Sequence, residues 1–518
     1  MRTLLLPVIA VLIFNYNFAQ TWPNNPRPTP EYSWSGENLS DMLGTVVAVS
    51  GDGNTVAFHR YGSFFDGRKR AVFVYKRSGN SWIPKGGLPS GGSIGETVTG
   101  SSSIITHPTF DGGNLGISYT DLEGWSETEV ISLSENGNTI AIGVPGNDDS
   151  DVGKVYISEY NEENDSWGLI TTLSGQRNSD STNQYFGKYI KLSDDGTFLA
   201  ISVPNAIENN NADGDIEFYK LQNGQWTYKN SLDDETFLYT PLNKFDLSGD
   251  GTTIAFKTVF GGSTYITTRS INVDFTTSHK ATSVQKESDN NGSSFPTKIS
   301  LSDNGRYLAI STANHDNDPS VNYKFGRVDT YELSGDGTSY VNRGSTIFVD
   351  EDDDRGSLTS DMELSGDGST LLFASRHDGS ICSSCNTSDA TNTRMFIYNW
   401  NDTDWSKVKD ITTPADGNRN TTGTYGETLS ISNDGSTIIA GEHDQDSNRG
   451  FVELFYFDLT PPDITISATG VSSAEVSSGN TSNDSTLSLT FTTSEATTNF
   501  VEADITLSNA SLSNFTGS

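Results

Sequence analysis

Four of the six histidines, His59, His315, His377 and His443, follow short apolar stretches, and three of them precede an aspartate, as His315-Asp316, His377-Asp378 and His443-Asp444. Imidazole beside carboxylate can ligate a metal or serve as an acid/base pair in glycan or ester cleavage, because histidine titrates near neutral pH. Carboxylates gather at matching places: Asp148, Asp149 and Asp151; Asp213 and Asp215; Asp316 and Asp318; Asp444 and Asp446; and the run Asp350-Glu351-Asp352-Asp353-Asp354. Loop oxygens of this kind suit a hard divalent cation, with calcium the candidate and no other cofactor indicated. The plainer reading is a solvated, self-repelling loop set that needs no ion. Cys382 and Cys385 form Cys-Ser-Ser-Cys, which in an exported chain reads as a small local disulfide, with a free thiol pair as the alternative. No nucleophile elbow, phosphate-cradling glycine loop or zinc spacing occurs, so no residue is assigned a catalytic role.

The elements that must position these residues are set by a repeat. Turns recur at Ser50-Gly51-Asp52-Gly53, Ser134-Glu135-Asn136-Gly137, Ser193-Asp194-Asp195-Gly196, Ser248-Gly249-Asp250-Gly251, Ser302-Asp303-Asn304-Gly305, Ser365-Gly366-Asp367-Gly368 and Ser432-Asn433-Asp434-Gly435. An apolar strand enters each turn and another leaves it, as across Lys191–Pro204, and the Asp-Gly or Asn-Gly pair suits the positive φ of a tight hairpin. A third strand ends in an aromatic, as at Tyr75, Tyr219, Tyr331, Tyr398 and Tyr456, and a fourth opens on Trp82, Trp167, Trp226, Tyr340 or Trp405. Four strands per unit and serine spacings of 54 to 84 residues predict an all-β, seven-bladed β-propeller. The longest gap reads as a loop inserted over Ser90–Glu127 and not as an eighth blade. The aromatics at the start of the fourth strand are better assigned to inter-blade packing than to sugar platforms, because they recur at one repeat position.

Two blades are irregular. The fourth has a weak third strand around Tyr265–Ser270 and lacks the tryptophan. The seventh meets Pro461-Pro462 with no room for a fourth strand, and the orphan segment Tyr32-Ser33-Trp34 is expected to close it.

These units resemble the FG-GAP repeats of integrin alpha-subunit propellers and of many secreted bacterial proteins. Phe186-Gly187 and Tyr425-Gly426, with Leu43-Gly44 more loosely, match the opening pair; Gly143-Val144-Pro145 and Ser202-Val203-Pro204 match the closing Gly-Ala-Pro. Blades four to six lack both ends, so a generic WD40-like or lactonase-like propeller is the alternative. Integrin-type copies carry a calcium loop at the hairpin turn; here the turn is shorter and supplies one carboxylate, so the Asp-Gly pairs read as turn formers. Past the diproline, Asp463–Ser467, Ser485–Phe491 and Phe500–Leu507 alternate like the first strands of a bacterial Ig-like domain, whose sandwich needs about 100 residues. The start of an Ig-like β-sandwich is therefore expected over residues 460–518, after a propeller over 20–459.

Residues 1–19 have the charged start, apolar middle and small-residue end of a signal peptide, and no later stretch has membrane-spanning length, so a secreted or cell-surface protein is expected. Asp and Glu number 67 against 32 Lys and Arg, a net charge of −35, which repels phosphate backbones and argues against nucleic acid as a partner. Apolar residues are 33% of the chain, and 50 glycines bring the total near the globular norm, so the chain folds. The first functional reading is adhesion or binding of an extracellular glycan or protein. The second is an extracellular hydrolase or lyase using the His/Asp-bearing face. The third is a structural spacer of a large surface protein.

Overall fold

A computed structural model describes residues 31–35, 42–60, 71–79, 81–86, 104–106, 112–113, 130–145, 152–175, 185–204, 207–208, 211–212, 214–232, 245–260, 263–286, 296–315, 325–348, 356–357, 361–377, 394–412, 428–442, 450–457, 464–472, 475–477, 482–493, 505, 511, 513–514 and 516. Pro23–Phe457 form one compact unit, and residues 1–22 with 458–518 form another. The first unit is a seven-bladed β-propeller whose blades are each built on four antiparallel strands.

Strands are lettered A to D from the axis outward. Blade 1 is Leu43–Val49, Thr55–Arg60, Ala71–Ser78 and Ser81–Pro84; blade 2 is Val130–Leu133, Thr139–Val144, Lys154–Asn161 and Ser166–Ser174. Blade 3 is Ile190–Leu192, Phe198–Val203, Asp215–Gln222 and Gln225–Leu232, and blade 4 is Phe245–Leu247, Thr253–Phe260, Ser263–Ile271 and Thr277–Lys286. In blade 5, Pro296–Leu301, Tyr307–His315 and Phe325–Leu333 are followed by an outer strand in two pieces, Tyr340–Asn342 and Ile347–Phe348. Blade 6 is Met362–Leu364, Thr370–His377, Arg394–Trp400 and Trp405–Thr412. Blade 7 takes A, B and C from Thr428–Ile431, Thr437–Glu442 and Phe451–Tyr456 and its D strand from Tyr32–Ser35, with Tyr32 opposite Leu454 and Ser35 opposite Phe451. Strand C of blade 4 runs for nine residues, so the weakness read around Tyr265–Ser270 is not structural: Thr264–Arg269 alternates polar and apolar poorly, yet pairs on both edges.

The A–B turn is the tight hairpin expected, but of the Asp-Gly pair only the glycine takes positive φ. Gly53 N donates to Ser50 O (2.9 Å) and Ser50 N to Thr55 O (2.8 Å), and only the glycine is left-handed, with φ of 69°. Serine is the hub: Ser50 Oγ donates to Asp52 Oδ1 (2.5 Å) and accepts from Thr55 N (2.9 Å), while Asn54 N donates to Asp52 Oδ1 (2.9 Å). The aspartate oxygen that a cation would use thus accepts hydrogen bonds from its own turn. Ser334-Gly335-Asp336-Gly337 builds the same turn between strands C and D of blade 5, outside the A–B series.

Apolar side chains on facing sheets make one core between each consecutive pair of blades from 7/1 through 4/5, and again at 5/6. The aromatics that open strand D belong to these cores: Trp82, Trp167, Trp226, Tyr340 and Trp405 are all buried. Trp167 Nε1 donates to Lys85 O of blade 1 (2.8 Å) and Trp405 Nε1 to Thr330 Oγ1 of blade 5 (2.7 Å). Lys85 itself is buried, and its Nζ reaches Gly137 O (2.7 Å) and Asn138 Oδ1 (2.8 Å) of blade 2. Burial pushes its pKa down to about 8.

In the second unit, Ile464–Thr469 pairs antiparallel with Ser488–Thr493, with Ile464 opposite Thr493. An Ig-like sandwich needs two packed sheets, and this one two-stranded sheet, among the described residues, does not make it. No helix among the described residues is long and apolar enough to cross a membrane.

Candidate functional site

Strand A of every blade faces the propeller axis with one edge unpaired, so its free N–H groups need acceptors. The side chain two residues before the turn serine supplies them to the next blade. Leu192 N donates to Ser132 Oγ (2.9 Å), Leu301 N to Asp246 Oδ2 (2.7 Å), Leu364 N to Ser300 Oγ (2.9 Å), Ile431 N to Glu363 Oε2 (3.0 Å) and Val49 N to Ser430 Oγ (3.2 Å). Blades 1 and 3 carry Ala48 and Lys191 at this position, neither of which can accept.

A second ring lies at the turns. Asp52 N donates to Glu135 O (2.9 Å), Glu135 N to Asp194 O (2.9 Å), Asp194 N to Gly249 O (2.7 Å), Asp250 N to Asp303 O (2.9 Å), Asp303 N to Gly366 O (2.8 Å), Asp367 N to Asn433 O (3.0 Å) and Asn433 N to Gly51 O (2.8 Å). This circuit visits all seven blades. The second turn residue is glycine in blades 1, 4 and 6 and larger in the others; a Cβ on Gly51 would meet Asn433 at 2.6 Å, and one on Gly249 or Gly366 would meet the carboxylates of Asp194 or Asp303 at 2.1 Å. Those side chains lean over the neighbouring glycines, and Asn433 Nδ2 of blade 7 reaches Asp194 Oδ2 of blade 3 at 3.5 Å. Asp194 and Asn433 thereby reach across the turn end of the axis from opposite sides.

Above this floor is a cavity of about 200 Å³ lined by the A strands. Its wall carries Lys191 and Lys298 against Asp194, Asp246, Asp303, Asp361 and Glu363. Lys298 Nζ lies 2.6 Å from Asp361 Oδ1, and Asp361 Oδ2 also accepts from Leu429 N (3.1 Å). Lys191 Nζ lies 3.5 Å from Asp246 Oδ1, and 41% of its side chain is exposed at the cavity wall. Asp246 raises the pKa of Lys191 against the opposing effect of burial. Burial likewise opposes the charge on Lys298, and Asp361 with Tyr189 and Glu363 together raise its pKa against it.

The surplus carboxylates respond in the other direction. Burial raises Glu363 to about 7, with Lys191 opposing and Asp361 and Asp246 reinforcing the shift. At the floor, burial together with the charges of Asp194 and Glu135 raises Asp303 to about 7. Asp194 is also raised, by burial in the first place, with Lys191 holding it back. Two groups poised to exchange protons at neutral pH, beside fixed ammonium groups in a concave site, make the axis the candidate for chemistry.

The residues singled out on sequence grounds lie elsewhere. His59 is inside strand B of blade 1, opposite Val72, and fully buried; it is not displayed on a loop face, because the strand continues through it to Arg60. His315 and His377 are the last residues of their B strands, opposite Phe325 and, on the axial side, Gly356. Asp215 opens strand C of blade 3, opposite Val203. His443, Asp148, Asp149, Asp151, Asp213, Asp316, Asp318, Asp444, Asp446, the 350–354 run, Cys382 and Cys385 fall outside the described residues. Among the described residues no group of three or more His, Cys, Asp or Glu is placed to hold a metal ion. The axial charges were visible in the sequence all the same: Lys191, Asp246 and Glu363 interrupt strands that are otherwise apolar, at the one repeat position where the other blades carry Ser or Ala.

No known protein-family profile matches the chain, so the FG-GAP resemblance gains no support, and no curated protein matches it either. Among solved structures the chain is similar to a proposed 6-phosphogluconolactonase from Bacteroides uniformis, with 14% identity and a TM-score of 0.45, covering 85% of this chain and 100% of the other. It is also similar to the periplasmic gluconolactonase of Pseudomonas aeruginosa, with 13% identity and a TM-score of 0.43, covering 78% and 96%. Neither likeness carries an inference about activity.

Proposed function

We propose that this protein is an exported propeller that takes a small polar substrate into the loop-bearing end of its axial cavity and hydrolyses it, with Glu363 as the group that exchanges the proton. The observation that carries this reading is the Glu363 carboxyl, raised to about 7 in a cavity wall it shares with Lys191 and Lys298. A carboxyl half-ionised at neutral pH can take a proton from water and return it to a leaving oxygen. Asp194 and Asn433 narrow the turn end, which favours entry from the opposite end, and the loops bearing Asp148, Asp149, Asp151, Asp213, Asp316, His443 and Asp444 would complete the site there, with a calcium ion if their carboxylates gather. The wall is polar and narrow, which favours a small ligand over the broad apolar or aromatic face that adhesion uses.

The test is hydrolysis of a panel of chromogenic esters, lactones and glycosides by the full chain between pH 5 and 8, with Glu363→Gln alongside. Turnover with a limb near pH 7 that Glu363→Gln abolishes is the expected result. A panel without turnover, on which ligands still raise the thermal midpoint, would leave binding alone. Glu363 Oε2 also accepts from Ile431 N at 3.0 Å, so the residue fastens blade 6 to blade 7 as well.

A further inference from the structure

The ring closes without a covalent bond at one joint, between strands C and D of blade 7, where four residue pairs from Tyr32↔Leu454 to Ser35↔Phe451 join the chain's early and late segments. A strand this short at a sheet edge is the weakest element of a closed ring, and the one another copy could displace. The insertion after blade 1 attends to that strand. Ile104–Thr106 pairs parallel with Ser33–Ser35 on its outer edge, so the closing strand becomes internal to a five-stranded sheet. Gly112–Gly113 then pairs parallel with Ala71–Val72, in strand C of blade 1. Strand D of blade 1 and Lys85 after it cover strand C from Val74 to Ser78, which leaves the edge at Ala71–Val72 for the glycines. Only residues 107–111 separate the two feet.

We infer that the insertion is a clasp: it grips the closing strand with one foot and blade 1 with the other, and so keeps Tyr32–Ser35 in place for strand C of blade 7. The side chains agree with this placement. Trp34 is fully buried, 5.0 Å from the ring of Phe58 and 5.2 Å from that of Tyr75, both in blade 1. Arg77 of blade 1 stacks 3.6 Å over the Tyr456 ring of blade 7, so blade 1 is the platform on which the seam is assembled. A clasp has a property that two separate edge pairings lack: it fails when either foot fails.

The experiment is amide hydrogen exchange on the full chain, in three variants. Ile104→Pro with Ile105→Pro removes a ladder donor from the first foot whichever residue faces the closing strand, Gly112→Pro with Gly113→Pro does the same for the second, and a third variant carries all four changes. Each two-site variant is expected to speed exchange of Tyr32–Ser35 and Phe451–Tyr456 about tenfold, with strand C of blade 3 unchanged, and the four-site variant to add little beyond either. Unaltered exchange at the closing strand would overturn the clasp. So would effects that add across the two feet, or acceleration that reaches blade 3 equally.

Discussion

The two ends of the propeller are built on opposite rules. At the turn end, every blade spends the same serine, acid or amide, and glycine on one turn, and seven such turns hydrogen-bond into a circuit. One layer up, the blades diverge: Ala48, Ser132, Lys191, Asp246, Ser300, Glu363 and Ser430 occupy a single repeat position. Positions that repeat carry the ring, and positions that differ within the repeat carry its charge. The serines and carboxylates do the same latching work, so replacing Ser with Asp or Glu keeps the ring and adds a titratable group at the axis.

Spoiling one turn inside the circuit and the same turn outside it separates packing between blades from strain within the turn. Gly137 has φ of 62°, and a Cβ there would meet the Thr55 side chain of blade 1 at 2.3 Å; Gly337, in the blade 5 copy of the turn, has φ of 71° and nothing within 4 Å. Gly137→Ala is expected to cost about 3 kcal/mol, from left-handed strain of ~1–2 kcal/mol plus overlap of a similar size. Gly337→Ala is expected to cost about 1 kcal/mol, from strain alone. Denaturant unfolding of both variants checks this, and equal losses would show that packing between blades adds nothing at the ring.

The serine hub gives a smaller contrast of the same form. Ser193 is buried, donates to Asp195 Oδ1 (2.5 Å) and accepts from Phe198 N (3.0 Å); Ser334, half-buried, makes the equivalent bonds to Asp336 (2.7 Å) and Ser339 N (3.1 Å). Ser193→Ala leaves a buried N–H without its acceptor, so a loss of about 1–2 kcal/mol is expected, against about 0.5 kcal/mol or less for Ser334→Ala, where water replaces the hydroxyl. Thermal midpoints of the two variants decide it.

Much of the ring was legible in the sequence, because local chemistry and global architecture agree there: the turn needs glycine in the left-handed region, the serine caps it, and the spacing counts the blades. The sequence suggested positive φ for the Asp-Gly pair, whereas here the serine hydroxyl draws the aspartate back and leaves only glycine left-handed. The site was less legible. His59 stands beside a loop in sequence and inside a strand in space, and nothing in its neighbours marks where strand B of blade 1 stops. The interruptions at Lys191, Asp246 and Glu363 were the better signal, but reading them requires knowing that strand A turns one edge to the axis.

Proton uptake at the floor offers the finest test of the contrast, since it separates the ring's backbone from the charge carried on it. Asp303 belongs to the circuit through its N–H, while its carboxyl, raised to about 7 by burial and by the Asp194 and Glu135 charges, is not needed for the circuit. A carboxyl near 3.9 in the unfolded chain and near 7 in the folded one binds more protons when folded throughout that interval, so stability falls as pH rises from about 4 through 7. Asp303→Asn keeps the shape and the backbone bonds and removes the titration. The variant is expected to gain about 1 kcal/mol at pH 8, after discounting for the part of the carboxyl that solvent screens, and to match the parent at pH 4. Stability measured across that range for both proteins resolves the point: parallel curves would mean that the floor tolerates its full negative charge, and that the ring and its charge are not separable in the way the two layers suggest.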